Sequence, residues 1–169
     1  MLIIAKKMRD LDFGQLMEIY IEGNLEKGKE LAPEETEARQ IALGEQEFYQ
    51  YLKQVFFRTL GAVYAVWEEN GKYVSALRLE PYRDGLLLEA LETRPDQRQK
   101  GYAKALICGV LTRTGNTKIY SHVDKANLAS ARTHESCGLR KTLNYAVCAD
   151  GSVLRQLDTF CFDPKVYMN

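Results

Sequence analysis

The chain carries no surplus of charge. Its 169 residues hold 23 Lys and Arg against 23 Asp and Glu, a formal net charge of zero. A general nucleic-acid binder shows a basic excess, or a basic stripe interleaved with aromatics, and neither is present. Balance over the whole chain still allows one small anionic ligand at a local site. Long apolar runs are missing too, so no membrane span is expected. The opening MLIIAKKMRD has too short an apolar segment for a secretory signal, which points to a cytoplasmic protein. Cysteines are few and scattered: Cys108, Cys137, Cys148 and Cys161 form no C-x-x-C pair. That argues against a zinc or dithiol site and for reduced, packing thiols. His122 and His134 are the chain's 2 histidines and have no carboxylate cluster near them in sequence, so no metal site is expected.

What is present suits one domain over 1–169, with 46 % hydrophobic residues to build a core. Leu2 to Ala5 reads as a first strand. RDLDFGQLMEIYIEGN places Phe13, Leu16, Met17 and Tyr20 at helical spacing, with Gly23 and Asn24 as a stop signal and LEKGKELA as a loop. Pro33 and the following glutamates predict the start of a second helix, with Ile41, Phe48, Leu52, Val55 and Phe56 as its buried stripe. The period then changes to two. AVYAVWEE and KYVSALRLE read as strands joined at Asn70-Gly71, and Asp84-Gly85 predicts a second turn before LLLEALE. The near-continuous apolar character of that third strand suggests a central position. A helix with Ala103, Leu106, Ile107, Val110 and Leu111 on one face follows, then the strand KIYSHV, a short helix closed by Gly138, and a hairpin around Asp150-Gly151. The expected fold is mixed α/β (α+β), a twisted mixed sheet of about 6–7 strands with helices on both faces.

The stretch RPDQRQKGYAKAL, between the third strand and the following helix, carries the chemistry. A helix N-terminus offers unpaired backbone N–H groups, and the helix dipole favours an anion there. Gly101 permits unusual dihedrals and close approach of a ligand. Arg94, Arg98 and Lys100 add positive charge. A phosphate or pyrophosphate fits this chemistry. A lone glycine does not satisfy the P-loop pattern, and the three glycines of the dinucleotide fingerprint are missing.

The spacing Arg98-x-x-Gly101-x-Ala103 resembles the acyl-CoA pyrophosphate loop of the GCN5-related N-acetyltransferase (GNAT) superfamily. NLASARTHESCGL supplies a second match, with Asn127, Ser130, His134, Gly138 and Leu139 in register with a second family motif. Two departures stand out. His134 occupies the place of the usual tyrosine, and Leu139 replaces a phenylalanine.

The resemblance implies an enzyme that transfers an acetyl group from acetyl-CoA to an amine in one direct step, the acceptor being a small-molecule or peptide amine. A non-catalytic acyl-CoA sensor or interaction module on the same fold is the alternative, and a homodimer is compatible with either. The family pattern implies that backbone groups of Leu91 and Thr93 hold the pantetheine arm. A backbone N–H of Leu91 or Glu92 would meet the thioester oxygen. Arg98, Gln99, Lys100, Gly101, Tyr102, Ala103 and Lys104 would surround the pyrophosphate, with Asn127 and His134 on the other flank. Strand alternation groups Leu87, Glu89, Leu91 and Thr93 on one face, which makes Glu89 the first candidate for general base, with Glu92 on the opposite face as the second and a water chain without a single base as the remaining alternative. Burial among apolar neighbours would raise the Glu89 pKa toward a useful value. His134, as an imidazolium, is the candidate acid for the leaving thiolate, and His122 is expected to line the acceptor cleft. From Glu18 to Glu47 the chain carries nine glutamates against Lys27, Lys29 and Arg39, a hint of a cationic acceptor set against a merely solvated helix face.

Overall fold

Turn chemistry organises the first half of the sheet. In the computed structural model, which describes residues 1–166, Asn70 and Gly71 both take positive φ (51° and 76°). That is the geometry that joins β2 (Val63–Glu69) to β3 (Lys72–Tyr82) as a tight hairpin. β1 (Leu2–Ala5) pairs antiparallel with β2, and β4 (Gly85–Thr93) pairs antiparallel with β3. The second turn falls one residue earlier than expected: Tyr82 pairs with Gly85, and Arg83 carries the positive φ (50°). Gly85 is needed for a different reason. A Cβ there would lie 2.2 Å from the Lys118 carbonyl oxygen on β5 (Lys118–Asp124).

β5 is the parallel neighbour of β4, reached through α4 (Tyr102–Thr114). After α5 (Leu128–Ser136) and β6 (Arg140–Leu143), the small hairpin β7 (Ala146–Val147) and β8 (Val153–Leu154) projects from the connection. Then β9 (Leu157–Phe162) inserts between β5 and β6. The seven-stranded order is β1-β2-β3-β4-β5-β9-β6, antiparallel except for β4–β5. The predicted mixed α/β sheet of 6–7 strands is therefore the observed one.

Helices cover both faces. Leu106, Ile107 and Val110 of α4 pack with Leu77, Leu79 and Leu88 on one side. On the other side Leu16, Met17 and Ile19 of α1 (Phe13–Ile19) and Leu52 of α3 (Glu37–Gln54) pack with Tyr64, Val66 and Ala76. Each fully buried side chain of this size is worth about 1.5–3 kcal/mol, which is what holds the helices down.

The helical N-terminal third departs from expectation. Gly23 and Asn24 do not end a helix; α2 (Ile21–Leu31) runs through them and through most of the predicted loop. Its glycine does packing work instead. α2 and α3 cross so closely that a Cβ on Gly28 would meet Gln40 O at 1.9 Å, and one on Gly44 would meet Asn24 O at 2.0 Å. α3 begins not at Pro33 but after Thr36, whose side chain accepts from Arg39 N. Val55 lies beyond the helix and is exposed.

Candidate active site

The parallel pairing of β4 with β5 stops at Leu88↔Ser121. From Glu89 onward the edge of β4 has no strand beside it, and the two strands splay into a cleft. Its walls are Leu88 to Leu91 on one side and Ser121 to Asp124 on the other, with Asn127, Ser130 and His134 closing one end. The floor is a bulge. Ala76 pairs with Glu92 but Arg78 pairs with Glu89, so two steps along β3 match three along β4. Ala90 takes the strain, at φ 48°. A bulge of this kind shifts the alternation of side chains.

That shift corrects the expected grouping. Leu91 packs with Leu88 and the α4 core, while Ala90 packs toward α1 and α3. Glu89 and Leu91 are therefore on opposite faces. Glu92 has Glu22 and Glu26 of α2 among its electrostatic neighbours, so it shares the helical face with Glu89 instead of opposing it.

On the α4 side a groove of about 610 Å³ runs from the cleft to the start of α4, sharing Leu91, Asn127 and Ser130 with the cleft lining. It is lined by Thr93, Arg98, Gln99, Gly101, Tyr102, Ala103 and Lys104. Gly101, at φ 84°, is the N-cap of α4 and no side chain caps the helix, so its first backbone N–H groups are free for a ligand. Gln99 is also at positive φ (63°). A Cβ on Gly101 would meet nothing within 4 Å, so the glycine serves the dihedral and leaves the groove open. The shape and chemistry suit a pyrophosphate.

The basic side chains are not all where the sequence suggested. Arg98 is tied down: its Nη1 and Nη2 meet the Glu22 carboxylate at 3.2 and 2.5 Å and its Nε donates to Thr93 O at 3.3 Å. It staples the loop to α2. Arg94 likewise bridges Glu18 (2.6 Å) and Asp96 (2.8 Å). Lys100 donates to Gln97 Oε1 at 2.9 Å and does not line the groove. Arg132 of α5 does line it, and sequence reasoning missed it. Its place five residues after Asn127, on the second motif's helix, was the available signal. Asn127 Oδ1 accepts from Ser130 N at 3.0 Å and so caps α5 at the junction of groove and cleft.

His134 is buried, 1 % exposed. Its Nδ1 lies 2.8 Å from the Ser130 carbonyl oxygen, which can only accept, so Nδ1 carries the proton. Nε2, 2.9 Å from Ser121 Oγ, then accepts from that hydroxyl. Burial lowers the His134 pKa, with only the Ser130 bond opposing it. Both contacts and the lowered pKa favour the neutral ring with Nε2 toward the cleft wall, whereas the expected donor role calls for an imidazolium. His122, on the next turn of the β5 alternation, lies on the same face as Glu89 and lines the cleft. Its Nε2 is buried without a hydrogen-bond partner among the described residues, and its ring stands edge-on to Tyr82 at 5.5 Å.

Beyond Glu89, on the α2–α3 side, lies a second cavity of about 520 Å³ lined by Tyr20, Asn24, Lys27, Phe48, Tyr51 and Arg78 among others. Arg78 Nη2 stands 3.9 Å from Glu89 Oε2. Burial raises the Glu89 pKa, and Arg78 draws part of that back. Groove and cleft form one passage through their shared Leu91, Asn127 and Ser130; the pocket shares no lining residue with the cleft and adjoins it only where Arg78 stands beside Glu89. Among the described residues no group of three or more His, Cys, Asp or Glu is placed to hold a metal ion, and no helix is long and apolar enough to cross a membrane.

A passage of this kind, at a single parallel strand pair splayed beside a bulge, has the shape and chemistry to suit an acyl-CoA donor. Residues 25–139 match the Acetyltransferase (GNAT) family, and the chain belongs to that family, whose members transfer acetyl groups from acetyl-CoA to amines. Among solved structures, spermidine N-acetyltransferase from Vibrio cholerae in complex with CoA and spermine is similar at 18 % identity, with 99 % of this chain and 98 % of that one covered and a TM-score of 0.64. An N-acetyltransferase from Staphylococcus aureus Mu50 is similar at 12 % identity, covering 95 % and 100 %, with a TM-score of 0.66. A chimera of the Vibrio cholerae enzyme with hSSAT gives 20 % identity, coverage of 99 % and 98 %, and a TM-score of 0.60. No curated protein sequence matches the chain.

Proposed function

We propose that this single-domain acetyltransferase works through the passage just described, with Glu89 as general base. The observation that carries the reading is the coincidence of a half-buried carboxylate with the strand splay: Glu89 is the first β4 residue past the last parallel pair, and burial raises its pKa. The donor's pyrophosphate rests on the N–H groups from Gln99 to Lys104, with Lys104 and Arg132 nearby. Its pantetheine arm lies along the open β4 edge at Leu91 and Thr93, with Asn127 on the other flank. An N–H near the bulge, of Leu91 or Glu92, stabilises the thioester oxygen as it becomes an oxyanion.

The proton balance is simple. An ammonium acceptor gives one proton to the Glu89 carboxylate, and the free amine attacks the thioester carbonyl carbon. The C–S bond breaks, and the thiolate takes the second proton released by the nitrogen. His134 acts here through Ser121: its Nε2 holds the Ser121 hydroxyl at the cleft wall, in place of the acid expected at the tyrosine position. His122 faces the acceptor. Four free thiols suit a reducing, cytoplasmic setting.

The test is release of CoA from acetyl-CoA in the presence of an amine panel, measured with Glu89→Gln alongside wild type. Turnover by wild type and its loss in the variant support the assignment. Binding of acetyl-CoA with no turnover on any amine would instead favour the sensor reading.

A further inference from the structure

Arg78 is a cation without adequate partners. Its Nε is buried and has no hydrogen-bond partner among the described residues. The neighbouring Glu89 carboxylate, at 3.9 Å, lies beyond hydrogen-bond reach. The second carboxylate nearby, Glu80, instead accepts from the Tyr51 hydroxyl at 3.3 Å. The guanidinium is stacked over the rings of Tyr51 (4.9 Å) and Phe56 (5.8 Å), which fixes its plane and leaves its donors to the pocket it lines. That Nε is itself out of a ligand's reach; a ligand in the pocket would meet the terminal guanidinium nitrogens, which Glu89 approaches only to 3.9 Å.

The charges around the pocket agree. Its lining holds Lys27 and Arg78 against Glu47. Three of the nine glutamates that hinted at a cationic acceptor are already paired: Glu18 with Arg94, Glu22 with Arg98, and Glu30 with Lys27 of the pocket itself. With Lys27 paired to Glu30, the lining balances Arg78 against Glu47 and offers a polyamine no surplus of negative charge. A carboxylate would supply the two oxygens that a guanidinium fork pairs with best.

We propose that the acceptor is an amino carboxylic acid whose carboxylate docks on Arg78, while its amine reaches Glu89 beside it. The proximity of Arg78 to Glu89 sets the amine and carboxylate only a few atoms apart, as in an α-amino acid. Tyr20, Phe48 and Tyr51 give the pocket an aromatic wall, which suits an apolar or aromatic side chain. The inference rests on the catalytic reading above and specifies its substrate class.

The experiment uses matched acceptors: leucine against leucinamide, phenylalanine against phenylalaninamide, and spermidine as a third arm. Initial rates of CoA release are measured, together with the rise in Tm that each compound gives to the CoA-bound protein. A charge-assisted bond is worth roughly tenfold or more, so kcat/KM for the free acids should exceed that for the amides by at least about tenfold. Because an amide's amine is less basic, more of it is neutral, and that bias opposes the expected result. In Arg78→Gln the acid-to-amide ratio should collapse through KM, and Arg78→Lys should restore part of it. Wild type alone can overturn the inference, whatever the variants' folding: equal or better turnover of amides or spermidine would sink it while leaving the acetyltransferase reading intact. Acids that raise the Tm without being acetylated would uphold the docking and sink the catalytic reading. Absence of both binding and turnover with the acids would overturn the inference as well.

Discussion

The Tyr20 hydroxyl donates to the Ala90 carbonyl oxygen at 2.7 Å, across 70 positions of sequence. It pins the strained residue of the β4 bulge to the start of α2. The bulge in turn decides which way Glu89 and Leu91 point. Tyr20→Phe removes one hydrogen bond and should lower stability by about 1 kcal/mol. It should also lower kcat if the bulge carries the backbone N–H proposed to meet the oxyanion. A lower Tm with unchanged kcat would show that the bulge holds without Tyr20.

Glu89→Gln should lower kcat by roughly a hundredfold and leave acetyl-CoA binding nearly unchanged. In wild type the pH profile should fall on the acid side, as the carboxylate protonates. Its apparent pKa should lie above the ordinary glutamate value of 4.5, since burial raises it. Removing Arg78 takes away an opposing charge, so the acid limb should move to still higher pH in Arg78→Gln. A limb that stays in place in both variants would assign it to another group.

For His134, neutrality is the expectation. Burial lowers its pKa, so the ring stays uncharged through neutral pH, and no limb near pH 6.5 should appear. His134→Phe leaves the Ser121 hydroxyl without its acceptor and should reduce kcat. Ser121→Ala should reduce it by a similar factor, and the double variant by no more than either alone, the mark of a coupled pair. Additive losses would separate the two residues.

Gly101→Asp puts a side chain and a negative charge into the open groove at the α4 N-terminus. Wild-type protein at a hundredfold excess of acetyl-CoA over Kd should gain about 2.7 kcal/mol of stability. The variant should lose that gain, read as the ligand-induced rise in Tm, while still melting cooperatively. A full rise in the variant would move the pyrophosphate away from this loop.

Gly44→Ala tests the helix crossing. The added methyl would overlap the Asn24 carbonyl, a backbone group that cannot rotate away. Separation of α2 and α3 should cost about 1–3 kcal/mol and reshape the pocket between them, which Gly44 lines. KM for the acceptor should rise more than KM for acetyl-CoA. An unchanged Tm would mean that the crossing relaxes freely.

Local rules in the sequence were enough for β1 to β5, but not for β6 or for the insertion of β9 between β5 and β6. Alternation placed β2 to β5, Asn70-Gly71 fixed the first hairpin, and two spaced motifs marked the groove proposed for the donor, because each depends on residues near one another in the chain. What the sequence could not carry were decisions made between distant segments. Gly23 and Asn24 look like a helix end, yet the α2–α3 crossing keeps α2 going, since the burial gained there exceeds the weak local preference for stopping. One extra residue in β4 relative to β3 reversed the face of everything beyond Ala90, and no single strand records the length of its partner. Glu22 ties up the Arg98 guanidinium at the groove wall, and Arg132 entered from α5. Arg78 reads in sequence as one basic residue in a strand; only tertiary packing buried its Nε, stacked it on Tyr51 and set it beside Glu89.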